Sequence, residues 1–312
     1  MLVFITIFFK LMSAFGSILL GFIAGKWLQI DRDNIARLLF FLMTPLVVFY
    51  NVALVKINLH ILSFPLLTYV IACSICTAFY YIAANIWQDS TRNILAFTAG
   101  NGNTGYFALP VVITIFEHQV SSIFVMGMLG VMLYEYSLGF FITARSHQTI
   151  GESVVRVLKL PMLYSFVLGC IYSMLHLTIP QIFEDFMRNI LGCYSTLGMM
   201  LVGLGLAQMN TVKLDFKFIS LAFLARFVVW PLISFLIIFV DKNFIQYYDQ
   251  NVYSALLMLS VVPLAANTVV VASILKVQPE KSAAAVLLST IVALFYMPLF
   301  IYLFVHSDKL LK

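Results

Sequence analysis

Apolar runs of bilayer-crossing length recur along this chain, and only short polar connections separate them. A bilayer's hydrocarbon core is about 30 Å thick and an α-helix rises about 1.5 Å per residue, so a spanning helix needs ~20 mostly apolar residues. Ten segments meet that need: 3–25, 34–55, 61–86, 93–116, 119–143, 160–177, 187–208, 216–240, 251–276 and 282–305. Hydrophobic residues make up 62% of the 312 and charged residues 10%, against roughly 45–50% and 25% in soluble domains. The sequence therefore predicts an all-α integral membrane protein with the lipid bilayer as its first partner. The first apolar run has no basic segment before it and no A-x-A site after it, so it reads as a retained span.

Charge placement predicts the orientation. Alternate connections and their flanks hold Lys26, Arg32, Arg37, Arg92, Arg145, Arg156, Lys159, Lys213, Lys217, Lys276 and Lys281. The opposite side holds Lys56, Arg188, Lys242, Lys309 and Lys312, so the balance is eleven against five. The positive-inside rule places the richer side in the cytoplasm and both termini outside a multi-pass cell inner (cytoplasmic) membrane. The connector Arg145–Lys159 divides the chain into residues 1–150 and 151–312, with five spans each. An odd number of spans per half makes the halves insert with opposite topology, as two inverted repeats.

The fourth span of each half is irregular. The first reads AFTAGNGNTGYFALPVV, with Gly100, Asn101, Gly102, Asn103, Thr104 and Gly105 at the break and Pro110 beyond it. The second reads SVVPLAANTVVVA, with Pro263, Asn267 and Thr268. Glycine and proline are poor helix-interior residues, and unwound backbone at membrane depth survives only where protein or a water-filled cavity satisfies it. Interrupted segments at matching places in two inverted halves point to a transporter's binding site.

At these residues the chain resembles the auxin efflux carrier family in its prokaryotic form, similar to malate permeases. The resemblance rests on GNTGYFALPVV (Gly102–Val112), VVPLAANTVVVA (Val261–Ala272) and QPEKSAAAVLLSTIVALFYMPL (Gln278–Leu299). It implies a ten-helix, sodium/proton antiporter-like fold of two inverted five-helix repeats that cross at broken helices four and nine. It also implies transport of organic anions, such as auxin or malate-like acids. The chain departs from the plant carriers twice: Gly102 replaces a proline before the first Asn-Thr, and no long loop separates the halves.

If each broken helix restarts after its break, two half-helix N-termini meet near the midplane, each carrying roughly +0.5 elementary charge and unpaired N–H groups. That arrangement suits a carboxylate. Asn103 and Asn267 either cap the half-helices or also donate to substrate, with Thr104 and Thr268 adding hydroxyls. Asn51 either faces the crossing or lies at the interface. Of thirteen acidic residues only Glu135 falls within a span, and Arg226 is the basic counterpart at similar depth. An intramembrane charge costs roughly 2.5–3.5 kcal/mol or more unless partnered, so the pair is expected to associate or share a polar cavity. Glu135 is a candidate proton-coupling group and Arg226 a candidate substrate contact. Lys10 either contacts substrate or snorkels outward, and His176 is expected at the interface.

Other classes are excluded or secondary. With a net charge of +5 but no basic run, the chain has nothing to track a nucleic acid. Cys73, Cys76, Cys170 and Cys193 lie in apolar stretches without the polar access that redox chemistry needs. No Walker A motif or H-E-x-x-H occurs, and no paired intramembrane carboxylates could hold Mg²⁺, so neither a metal nor a cofactor nor an enzyme activity is expected. The best reading is a secondary transporter of a small organic anion; the alternative is a channel or receptor of the same fold. The sequence is compatible with a homodimer but does not decide the oligomeric state.

Overall fold

The computed structural model describes residues 16–54, 59–109, 111–112, 116, 118–146, 149, 151–152, 155, 158–207, 214–301 and 303. Pro110, Lys10, Lys309 and Lys312 lie outside the described residues.

Helix is the only regular structure among the described residues, as the apolar runs predicted, because in lipid only internally bonded backbone is tolerated. In chain order the helices are α1 (Gly16–Lys26), α2 (Arg32–Ala53), α3 (Leu59–Ala84) and α4 (Thr91–Gly100). A π-helical turn, Thr104–Ala108, follows α4. Helix α5 begins as His118–Tyr134, passes through the π-helical turn Glu135–Gly139 and closes as Phe140–Ala144. Then come α6 (Pro161–Met174), α7 (Gln181–Ala207), α8 (Phe216–Ile245), α9 (Gln250–Val261), α10 (Asn267–Leu275) and α11 (Pro279–Phe300).

Among the described residues five helical stretches are long and apolar enough to cross a membrane: Arg32–Ala53, Ser63–Ala84, Ile123–Ala144, Phe216–Ile245 and Pro279–Phe300. Their outward faces are greasy. Leu232, Leu236 and Phe239 of α8 and Tyr164, Val167, Leu168 and Ile171 of α6 are exposed at helical spacing. Exposed apolar faces of this kind suit lipid rather than water. Inside the bundle, α3 packs on α4 and α5, α2 on α6, and α10 on α2 and α11.

One helix starts well before the sequence expectation, and two spans are interrupted at the breaks it marked. Helix α7 starts at Gln181, not 187, because Pro180 precedes it and its first turns carry the exposed Arg188–Asp185 pair (3.6 Å) beyond the apolar part. The expected spans 93–116 and 251–276 each stop in the middle, at Gly100 and at Val261.

At the lysine-rich end, Asp215 accepts from the Phe218 N–H at 3.0 Å and caps α8. The Lys281 ammonium reaches Asp215 at 2.9 Å and Thr91 Oγ1 at 3.1 Å, tying the starts of α4, α8 and α11 together. Burial alone would raise the Asp215 carboxyl, but hydrogen bonds from Lys281 and the Phe218 amide hold it below the usual carboxylate range.

Candidate functional site

The two breaks touch. The Asn103 N–H donates to the Pro263 carbonyl at 2.8 Å, so the gap after α4 lies against the gap after α9. Local side chains satisfy part of the remaining unwound backbone. The Gly102 N–H donates to Asn101 Oδ1 at 2.9 Å, and the Leu264 N–H to Ser289 Oγ at 3.1 Å. Helix α4 ends where Tyr134 lies on it: a Cβ at Gly100 would stand 2.5 Å from the Tyr134 ring.

The helix ends at the breaks carry opposite partial charges, and side chains complement them. On the C-terminal side, Arg226 comes from a π-helical turn of α8, Leu224–Val229. Its Nε donates to the Val262 carbonyl at 2.6 Å and its guanidinium also to the Leu259 carbonyl, the last carbonyls of α9. The guanidinium stacks on the Trp230 ring at 4.8 Å, and Trp230 Nε1 donates to the Ala99 carbonyl of α4 at 3.0 Å. One residue pair thus covers the C-terminal ends of both half-helices. Gly102 packs directly on that guanidinium.

This arrangement corrects the expected Glu135–Arg226 association. The two form no ion pair among the described residues, because Arg226 is spent on backbone carbonyls and lies behind Gly102. Glu135 instead faces the side chains of Asn267 and Asn101. Within strict hydrogen-bond distance and angle, its Oε1 and Asn101 Nδ2 remain unsatisfied, as do Asn103 Oδ1 and Thr268 Oγ1. Thr104, Glu135 and Arg226 all sit in π-helical turns, which concentrate at functional sites.

A cavity of about 510 Å³ opens beside the breaks. Of the residues singled out in the sequence, Asn51, Gly102, Asn103, Thr104, Gly105, Glu135 and Asn267 line it. Gly100, Asn101, Arg226, Pro263 and Thr268 are packed behind its wall rather than on it. The side-chain capping expected of both asparagines, whether alone or together with substrate contact, is not made. Asn103 precedes the turn Thr104–Ala108 without a side-chain cap bond, and Asn267 is the first residue of α10 rather than its cap. The Asn103 amide lies 3.6 Å from Met199 Sδ, and the Asn267 amide 3.4 Å from Tyr136 OH. His176, expected at the interface, is exposed after α6 with a left-handed φ of 53°.

Sequence reasoning missed one wall. Tyr194, Ser195 and Thr196 of α7 line the cavity, and Thr44 of α2 bonds Tyr194 OH at 3.3 Å. The signal was available: three consecutive polar side chains inside the apolar part of the helix. Among the described residues no three His, Cys, Asp or Glu side chains gather as metal ligands would.

Residues 145–301 match a protein family described as membrane transport protein, the auxin efflux carrier family. The chain belongs to this family. No curated protein matches it. As an auxin efflux family member it is a multi-pass membrane transport protein, a kind that is typically not enzymatic. The match takes in α6 to α11, and so Arg226, Pro263, Asn267 and Thr268.

Proposed function

We propose that this transport protein is a secondary carrier of a small organic anion, a mono- or dicarboxylate, and that the cavity at the touching breaks is its seat. The observation that carries the reading is the contact between the Asn103 N–H and the Pro263 carbonyl beside a cavity lined by Asn103 and Asn267. Helix α10 presents its N-terminus there, where a carboxylate gains from the dipole and from N–H groups without helical partners. Asn51, Asn103, Asn267 and Thr104 supply directional groups around it.

Glu135 shares that cavity, and an ionised carboxylate there repels an anion. Protonation removes the repulsion, so anion and proton would enter together, and Glu135 is the coupling group. Arg226 acts on the site indirectly, holding the C-terminal end of α9 and stacking on the Trp230 ring that bonds the end of α4, and Thr268 lies behind the wall.

The ten-span architecture belongs to the same proposal. Residues 1–150 and 151–312 form inverted five-span repeats, with α4 and its turn as the fourth span and α9 with α10 as the ninth. The lysine-rich end lies in the cytoplasm of a cell whose inner membrane holds the protein, with both termini outside. One group of helices rocks against the other around the crossing, giving alternating access.

The test is equilibrium binding of a panel of mono- and dicarboxylates to purified protein in detergent, with folded fraction followed in parallel. Asn103→Ala and Asn267→Ala should each weaken binding by about 1–3 kcal/mol, the cost of losing a hydrogen bond to a charged group. Asn103→Asp should be worse than Asn103→Ala. Normal binding by both alanine variants would place the seat elsewhere.

A further inference from the structure

A second cavity, of about 400 Å³, lies at the lysine-rich end of the bundle. Arg37 of α2, Lys159 before α6 and Lys276 after α10 line it, together with Asp33, Phe41 and Ser273. The three cations are exposed and form no ion pair among the described residues. The one acid, Asp33, is engaged by Arg32 at 3.5 Å. The cavity is therefore a concave, positively charged space with an apolar floor, a shape that concentrates anions.

Its position relates it to the central cavity. Both open between α2 and α10: Val47, Asn51 and Asn267 line the central one, while Arg37, Phe41, Ser273 and Lys276 line the basic one. Three aromatic rings link their walls. The Asn267 amide, on the central wall, lies 3.4 Å from Tyr136 OH. The Tyr136 ring meets Phe40 edge-on at 5.9 Å, and Phe40 stacks on Phe140 at 5.9 Å. Phe140 is itself part of the basic cavity's wall. Tyr136, Phe40 and Phe140 are all buried, so the rings run as one continuous buried contact from the central wall to the basic one.

We infer that the basic cavity is a second station for the transported anion, held by Arg37, Lys159 and Lys276, and that the Phe40–Tyr136–Phe140 rings are the partition the anion passes between the two stations. This rests on the central cavity being an organic-anion seat. The basic station attracts a carboxylate by charge with little shape selection, and the amide-lined seat then selects it. Opening the cleft between α2 and α10 would part the rings and join the two spaces.

The experiment is equilibrium binding of radiolabelled malate to purified full-length protein at low and high ionic strength. The proteins compared are wild type, Asn103→Ala/Asn267→Ala, Arg37→Gln/Lys159→Gln/Lys276→Gln, and the two sets combined. Because the three cations are exposed and unpaired, their replacement should leave the melting temperature unchanged, which is measured alongside. Wild type should show two classes of site. The asparagine variant should keep only a weaker, salt-sensitive class, and adding the three glutamines should weaken that class by at least about tenfold, as expected for losing charged partners. Residual binding that the glutamines leave unchanged overturns the second station while leaving the central seat standing. Loss of malate from the basic cavity on adding phosphatidylglycerol, but not inorganic phosphate, makes it a lipid headgroup site and also overturns the proposal. If the asparagine replacements change nothing but the glutamines abolish binding, the central reading fails instead. Phe40→Ala should speed malate exchange between the two classes, and an unchanged exchange rate removes the partition from the proposal.

Discussion

Adding one methyl group at Gly102 tests whether Arg226 is fixed in place. No glycine among the described residues has a positive φ, so alanine can adopt the Gly102 backbone without strain. At such a position Gly→Ala ordinarily stabilises by about 0.4–1 kcal/mol, by reducing the freedom of the unfolded chain. Here the new Cβ would stand 2.7 Å from Arg226 Cζ, 2.8 Å from one terminal guanidinium nitrogen and 2.9 Å from the other. Comfortable separation is about 3.5 Å, so the guanidinium must retreat by roughly 0.8 Å. It has nowhere to go without loss, because the Val262 and Leu259 carbonyls hold one edge and the Trp230 ring covers its face. Overpacking of this kind costs about 1–3 kcal/mol, which outweighs the entropic gain and leaves Gly102→Ala destabilised by about 1–2 kcal/mol. The assay is reversible denaturation in mixed micelles. Gly192→Ala serves as control, since a Cβ there meets nothing within 4 Å. In an Arg226→Lys background the ammonium lacks the forked head that fills the space, so Gly102→Ala should cost less, and the cycle should be non-additive. If Gly102→Ala is as stable as Gly192→Ala, or the cycle is additive, Arg226 is not the rigid keystone described above.

Three further expectations follow from other parts of the molecule. Glu135→Gln should uncouple transport from the proton, so that uptake into proteoliposomes no longer responds to an imposed pH gradient; a retained response moves the coupling group elsewhere. Asp215 titrates below the usual carboxylate range in the folded state, so its stabilisation is complete above the unfolded carboxylate value of about 3.9 and is lost as pH falls through the lower folded value. Acid denaturation of Asp215→Asn should therefore be shallower than that of wild type below about pH 4, and identical curves would dismiss the Lys281–Asp215 tie. In a cysteine-free background, an impermeant thiol reagent added outside intact cells should label a cysteine at His176 and spare one at Lys159, and the reverse pattern would invert the orientation.

Local composition determined much of this protein. Hydropathy is a sum over neighbours, so all-helical membrane character could be read directly from the apolar runs. The breaks were equally legible, because Gly100–Gly105 and Pro263 oppose helix wherever they occur. Five of the residues singled out at the breaks, Gly102, Asn103, Thr104, Gly105 and Asn267, do line one cavity. What sequence could not settle was partnership across the bundle. Glu135 and Arg226 were the two intramembrane charges at similar depth, and pairing them was the cheapest local solution. Packing chose otherwise, because α8 delivers Arg226 to the C-terminus of α9, whose carbonyls need donors, while α5 turns Glu135 toward Asn101 and Asn267. The same limit hid Tyr194, Ser195 and Thr196, whose place on the cavity wall depends on which face α7 presents. A chain's own periodicity says which residues share a helix face; which helix that face meets is decided only when all the helices have packed.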